Sequence, residues 1–277
     1  MAGRFVYCLI AIGALAGAPC RASTIGLQIV SRADATGGVP RLSLNLANTG
    51  DEAAHSVKAE AQFQGATVPA EACDALGVNE KHHFTLPLAD ALPPPGVYPV
   101  IVIVRYADAN GYPFSAISVT PLAVGPPPAG PEMTVGMLPA EMFSRGTLSL
   151  RLRAAGGRDV DARLRVVVPD EMLCSPAEER CVAPAAGIRV AEFALTNVAA
   201  RPDSRYPVFG IVEYDEGGRR RTAIRSAVVS IVAHDSVPKR AAALWPAVVA
   251  VLLAAFIAAQ WICRFRGKPA PDRTGAP

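Results

Sequence analysis

Along most of the chain, apolar and polar residues alternate in short runs, and clusters of Gly, Pro, Asn and Asp break the runs apart. Successive side chains of an extended strand point to opposite faces, so this alternation marks strands with one buried face. The runs at 24–31, 41–48, 55–64, 81–88, 97–107 and 112–124 predict six strands. Those at 134–138, 147–153, 162–168, 188–195, 206–214 and 221–232 predict six more. No long helical period lies between them, which points to an all-β fold of the β-sandwich class. Two stretches escape the pattern, the apolar run 5–17 and the charge-free run 241–263.

The two halves of the alternating region match. Leu42-Ser43-Leu44-Asn45-Leu46 aligns with Leu148-Ser149-Leu150-Arg151-Leu152, and Phe84-Thr85-Leu86 with Phe193-Ala194-Leu195. Tyr98-Pro99-Val100 aligns with Tyr206-Pro207-Val208, and Ile103-Val104-Arg105-Tyr106 with Ile211-Val212-Glu213-Tyr214. The offset drifts only from 106 to 109 residues, as insertions confined to loops would produce. Two copies of one sandwich are therefore expected, at 24–125 and 131–236. The segment 125–131, Gly-Pro-Pro-Pro-Ala-Gly-Pro, cannot continue a strand and reads as a stiff linker.

The Leu-x-Leu-x-Leu strand at Leu42, the turn Asn48-Thr49-Gly50-Asp51 and the lead-in Pro95-Gly96-Val97-Tyr98 resemble bacterial immunoglobulin-like modules of the cell-adhesion-related (CARDB) type. The second repeat departs from the pattern, with Ala155-Gly156-Gly157 and Ser204-Arg205-Tyr206 at the corresponding places. The resemblance implies two tandem immunoglobulin-like β-sandwiches. Such modules serve envelope proteins as spacers, adhesive arms and assembly partners, which implies an envelope protein partner. It brings no catalytic residue and no cofactor.

The apolar ends set the expected compartment. Arg4, the run 5–17 and Cys20-Arg21-Ala22 before Ser23 read as a signal peptide over 1–22. The 23 residues of 241–263 carry no charge and have Trp245 and Trp261 near their ends. At ~1.5 Å per residue they reach roughly 35 Å as a helix, enough to cross a bilayer core. Arg264, Arg266 and Lys268 follow, so a cytoplasmic tail at 264–277 is expected. The expected whole is a single-pass protein of a bacterial inner membrane, held in the lipid bilayer by its C-terminal helix, with a periplasmic ectodomain. A span without ionisable residues excludes a proton or ion pathway.

Composition narrows the function. Apolar residues make up 51% and charged ones 18% of the chain, which excludes a disordered polymer. The formal charge of +3 belongs to the ends, because 23–238 holds 19 basic against 23 acidic residues. A nucleic-acid partner is excluded by that balance.

The candidate chemistry is sparse. Cys174 and Cys181 bound a short loop and are expected to form a disulfide in an oxidising compartment. His82 and His83 are neighbours on a strand, so they point apart and do not converge on a metal. Asp108, Asn110, Asp215 and Glu216 sit in Gly-containing turns, where hairpin geometry explains them better than calcium does. The second repeat has an arginine pattern: if Leu148–Leu152 and Leu164–Val166 face inward, then Arg151, Arg153, Arg163 and Arg165 face out. Were they clustered, they would form a patch for an anionic glycan or other acidic polymer. No nucleophile elbow, phosphate loop or zinc helix is present, so the chain is expected to be no enzyme.

Overall fold

The computed structural model describes residues 25–126 and 132–233, and a helix over 239–266 with the side chains of 247–261. The expected signal peptide, linker positions 127–131 and the tail beyond 266 lie outside the described residues.

The first repeat runs β1 (Leu27–Asp34), β2 (Arg41–Asn48), β3 (Ala54–Phe63), β4 (Ala66–Pro69), β5 (Cys73–Leu76), β6 (Lys81–Pro87), β7 (Gly96–Ala107) and β8 (Pro113–Val124). Strands β1-β2-β6 form one sheet, and β8-β7-β3 the other, with β4 and β5 both pairing to β3. Leu42, Leu44 and Leu46 are fully buried on one face of β2. They meet Val100, Val102 and Val104 of β7 and Phe63 of β3 in a single core.

The second repeat runs β9 (Thr134–Met137), β10 (Ala140–Met142), β11 (Arg145–Arg153), β12 (Val160–Val167), β13 (Met172–Ser175), β14 (Glu178–Ala183), β15 (Arg189–Asn197), β16 (Arg205–Glu216) and β17 (Arg219–Ile231). Its sheets are β9-β11-β15-β13 and β14-β12-β16-β17, with β10 parallel to β17. Leu148, Leu150 and Leu152 of β11 occupy the places of the first triplet and are likewise fully buried. This is a β-sandwich in which β9, β11, β15 and β16 stand for β1, β2, β6 and β7, with β13 added beside β15.

The repeated Tyr-Pro-Val has a local cause. Tyr98 at the start of β7 donates its hydroxyl to the Pro94 carbonyl at 2.7 Å. The Tyr206 hydroxyl, at the start of β16, accepts the Arg201 N–H at 3.2 Å. Both are tyrosine corners, which tie the strand entry to the chain four or five residues upstream, as in immunoglobulin-like domains.

Between the two sandwiches lies a third apolar cluster. Ile101 and Ile103 point out of the first core from β7, joined by Ile117 of β8. They pack against Val167 of β12 and Ile211 of β16. The outer faces of β8-β7 and β12-β16 are thus buried against each other, and the described residues up to Ile231 form one compact unit. At one end the backbones touch, with Gly96 of β7 bridging in parallel to Arg220 of β17.

The described side chains of helix α1 (Lys239–Arg266) are apolar from 247 to 259, followed by Gln260 and Trp261. Leu252, Phe256 and Trp261 are 63%, 64% and 66% exposed. Among the described residues no helix is long and apolar enough to cross a membrane. The expected span 241–263 extends past the described side chains at both ends.

Candidate functional site

The four arginines expected to share one surface do not. Arg151 and Arg153 lie on β11, and Arg163 and Arg165 on β12. All four are exposed, but β11 and β12 belong to opposite sheets of the sandwich. Consecutive strands here cross between sheets instead of forming a hairpin, and alternation alone does not reveal which they do. The second pair also has partners. Arg163 forms a two-pronged ion pair with Glu178, its Nη2 donating at 2.7 Å. That pair holds the Glu178 carboxyl below the usual carboxylate range. Arg165 donates to Gln62 Oε1 of the first repeat at 3.2 Å.

Arg163, Arg165 and Arg220 line a cleft of about 620 Å³ against Gln62 and Glu213. Arg220 is held there by Glu213 and Asp215, at 3.3 and 3.5 Å. Its neighbours in the Arg219-Arg220-Arg221 run are not free surface charge either. Arg219 donates to the Pro126 carbonyl at 3.2 Å, and Arg221 is buried beside Glu216 at 3.0 Å. Arg163, Arg189, Arg201, Arg220 and Arg221 of the second repeat thus stand in ion pairs. Exposed pairs of this kind contribute little stability individually.

The expected disulfide is absent, and Cys174 and Cys181 are free thiols. Cys174 lies on β13 of one sheet and Cys181 on β14 of the other, each packed against the second core. Burial pushes the Cys174 thiol up to about 11 and raises that of Cys181. At pH 8 the thiolate of Cys174 is then scarce, so it should alkylate roughly a hundredfold more slowly than an unperturbed thiol. Timed iodoacetamide labelling of the native, unreduced protein with peptide mass spectrometry checks this. A Cys174–Cys181 cross-linked peptide would contradict the free-thiol arrangement.

The most developed polar structure joins the repeats. Glu171, 4% exposed, accepts both the backbone N–H and the hydroxyl of Ser115, at 2.7 and 2.6 Å. Ser115 in turn accepts the Asp170 N–H at 2.8 Å. Arg105 of β7 bridges Asp170, at 2.5 Å, and Glu60, at 3.1 Å. A buried carboxylate is tolerable only when hydrogen-bonded, and here its donors come from the other repeat.

Farther along the same seam, the Arg201 guanidinium lies 4.6 Å from the ring centroids of both Tyr112 and Phe114. Its Nη2 is 3.5 Å from Asp108 Oδ2, and the Tyr112 hydroxyl donates to the Ala199 carbonyl at 3.0 Å. The Tyr112 and Asn110 N–H groups and Arg201 hold the Asp108 carboxyl below its ordinary range. Beside this clasp opens a cleft of about 750 Å³, with Leu27, Ile29, Phe114 and Ser118 on one side and Arg205, Tyr206 and Phe209 on the other. Burial, with the Glu171 charge nearby, pushes the Tyr106 hydroxyl in its wall up to about 12.

Of these seam residues only Asp108 stands among the sequence candidates, and there as part of a turn. A signal for them is nevertheless present: Val100–Val104 and Val208–Val212 are nearly continuous apolar runs, which mark strands buried on both faces rather than one. Among the described residues no group of three or more His, Cys, Asp or Glu is placed to hold a metal ion.

Comparison with protein families and with curated proteins found no match. Solved structures similar to this chain include the transglutaminase of red sea bream, at 12% identity and TM-score 0.25 over 74% of this chain and 31% of that one. A Salmonella alpha-2-macroglobulin mutant is similar at 9% identity and TM-score 0.30, over 75% of this chain and 16% of that one. A PapD-like domain of human CEP192 is similar at 16% identity and TM-score 0.27, over 40% of this chain and 95% of that domain. The chain thus spans less than a third of the length of the first two. PapD-like β-sandwich domains are among its neighbours.

Proposed function

We propose that this chain is a non-enzymatic, single-pass membrane protein of a bacterial cell envelope. Its two extracytoplasmic immunoglobulin-like domains, of CARDB type, act together as an interaction and scaffolding arm. The observation that carries the arm is the seam: an apolar cluster, a buried Ser115–Glu171 bond and the Arg105–Asp170 pair join the repeats into one body. Polar groups that chemistry would need exposed are engaged there in holding orientation. A rigid pair presents a fixed surface to a partner and loses little freedom on binding it. The tether is supported by a helix whose described side chains are apolar from 247 to 259, with Leu252, Phe256 and Trp261 unburied. Such a helix needs an apolar surrounding, which a bilayer supplies.

Two measurements test this reading. The protein is expected to stay in the membrane pellet after an alkaline carbonate wash, and release into the supernatant overturns the tether. Crosslinking and affinity capture of the tagged full-length chain from membranes should return one recurrent protein in stoichiometric amount. No such partner under either condition overturns the scaffold. An acidic polymer on the arginines would instead require salt-sensitive binding lost on replacing Arg151, Arg153, Arg163 and Arg165. Their division between two sheets argues against a single polymer site.

A further inference from the structure

We propose that the 750 Å³ cleft at the seam is a binding site for a neutral oligosaccharide. Its volume falls in the range of about 300–1,000 Å³ typical of small-molecule sites, which form preferentially where two domains meet. The cleft exists only because the repeats pack as they do, since β1 and β8 supply one wall and the lead-in to β16 the other.

The chemistry of the walls selects the ligand. Leu27, Ile29, Phe114, Tyr206 and Phe209 are half-buried there; Leu27 and Ile29 pack on the first core, Tyr206 on the second and Phe209 on the cluster between them, and the rest of their surface faces the cleft. Around them stand Ser204, Asp203, Arg201 and Arg205, which offer hydroxyl, carboxylate and guanidinium groups, while Asp108 is buried and engaged with Arg201. A fatty acyl chain would need an enclosed and uniformly apolar tunnel, and this cleft is neither. A charged polymer would need a rim of one sign, whereas Glu52, Asp108 and Asp203 oppose Arg201 and Arg205. A pyranose ring matches both halves. Its C–H face lies on aromatic surface, and its hydroxyls bond to carboxylate and guanidinium together. Arg201 is fixed over Tyr112 and Phe114 and against Asp108, which the N–H groups of its own turn hold in place, so part of the polar set is preorganised.

The proposal does not rest on the scaffold reading, because a purified chain binds sugar without any protein partner. The experiment is isothermal titration of the full-length protein in lipid nanodiscs, which avoid sugar-headed detergents. Cellotetraose, maltotetraose and N-acetylchitotetraose serve as probes. At least one is expected to bind saturably. Phe114→Ala and Arg205→Ala should each weaken it tenfold or more, and Arg151→Ala on the far sheet should leave it unchanged. Arg205 is exposed, so its replacement tests the site without threatening the fold. The proposal fails if none of the three probes binds, if both cleft variants bind as the parent does, or if Arg151→Ala abolishes binding.

Discussion

Replacing Ile211 by Asp is expected to part the two repeats while leaving each folded. Ile211 is 0% exposed and points away from its own core, into the cluster formed with Ile101, Ile103, Ile117 and Val167. The change removes a buried side chain worth about 2–3 kcal/mol. It also places a carboxylate in a cluster of aliphatic side chains, a penalty of several kcal/mol more unless the group stays protonated or reaches water. Separation of the repeats relieves that penalty at once, because an outward-facing Asp on a free sheet is solvated. Neither sandwich core contains Ile211, so Leu42–Leu46 and Leu148–Leu152 keep their neighbours. Small-angle scattering should show a larger radius of gyration, and proteolysis should accelerate between the repeats, with far-ultraviolet circular dichroism retained. An unchanged scattering profile would mean that the seam does not hold the pair together. Under the scaffold reading, the same variant should lose the captured partner.

What could be read from the chain, and what could not, follows from the range over which each signal acts. The Leu triplets of β2 and β11 are local period-two patterns, and the fully buried positions are the ones that the alternation selects. The tyrosine corners are also local, spanning four and five residues, and they repeat as Tyr-Pro-Val. Strands β4, β5, β10 and β13, of three or four residues, are too short to display a period, and β14 lies in a charged stretch read as a loop. The arginine patch fails for a different reason. Alternation places Arg151 and Arg163 outward, correctly, but the sheet to which each strand belongs depends on the crossover between β11 and β12. The seam fails similarly. Ser115 and Glu171 are 56 residues apart, and nothing in either neighbourhood names the other. Only the apolar excess on the outer faces of β7 and β16 betrays that something covers them.

Gly96 offers the second large effect, and the glycine is explained by contact rather than by backbone freedom. A Cβ at this position would lie 2.8 Å from the Arg220 carbonyl oxygen and 3.2 Å from the Arg220 nitrogen. Those atoms are backbone, so they cannot rotate away as a flexible side chain would. The contact is where β7 and β17 meet, beside the Thr222 hydroxyl bond to the Val97 carbonyl at 2.7 Å. Gly96→Val must therefore push the two strands apart, and overpacking of this kind destabilises by about 1–3 kcal/mol. Hydrogen exchange should rise at the amides of 220–223 and 96–98 before it rises in either core. Gly111→Ala provides the contrast. Gly111 has φ +77° with nothing within 4 Å of an added Cβ, so its replacement strains only its own turn. It should lower stability by about 1 kcal/mol without loosening the seam. If Gly96→Val leaves exchange at 220–223 unchanged, the backbone contact is not what closes that end. If Gly111→Ala opens the seam as well, general destabilisation rather than this contact controls it. Should the two variants diverge as expected, the Pro95-Gly96-Val97-Tyr98 lead-in gains a second role. Tyr98 fixes the corner of the first sandwich, and Gly96 admits the second one against it.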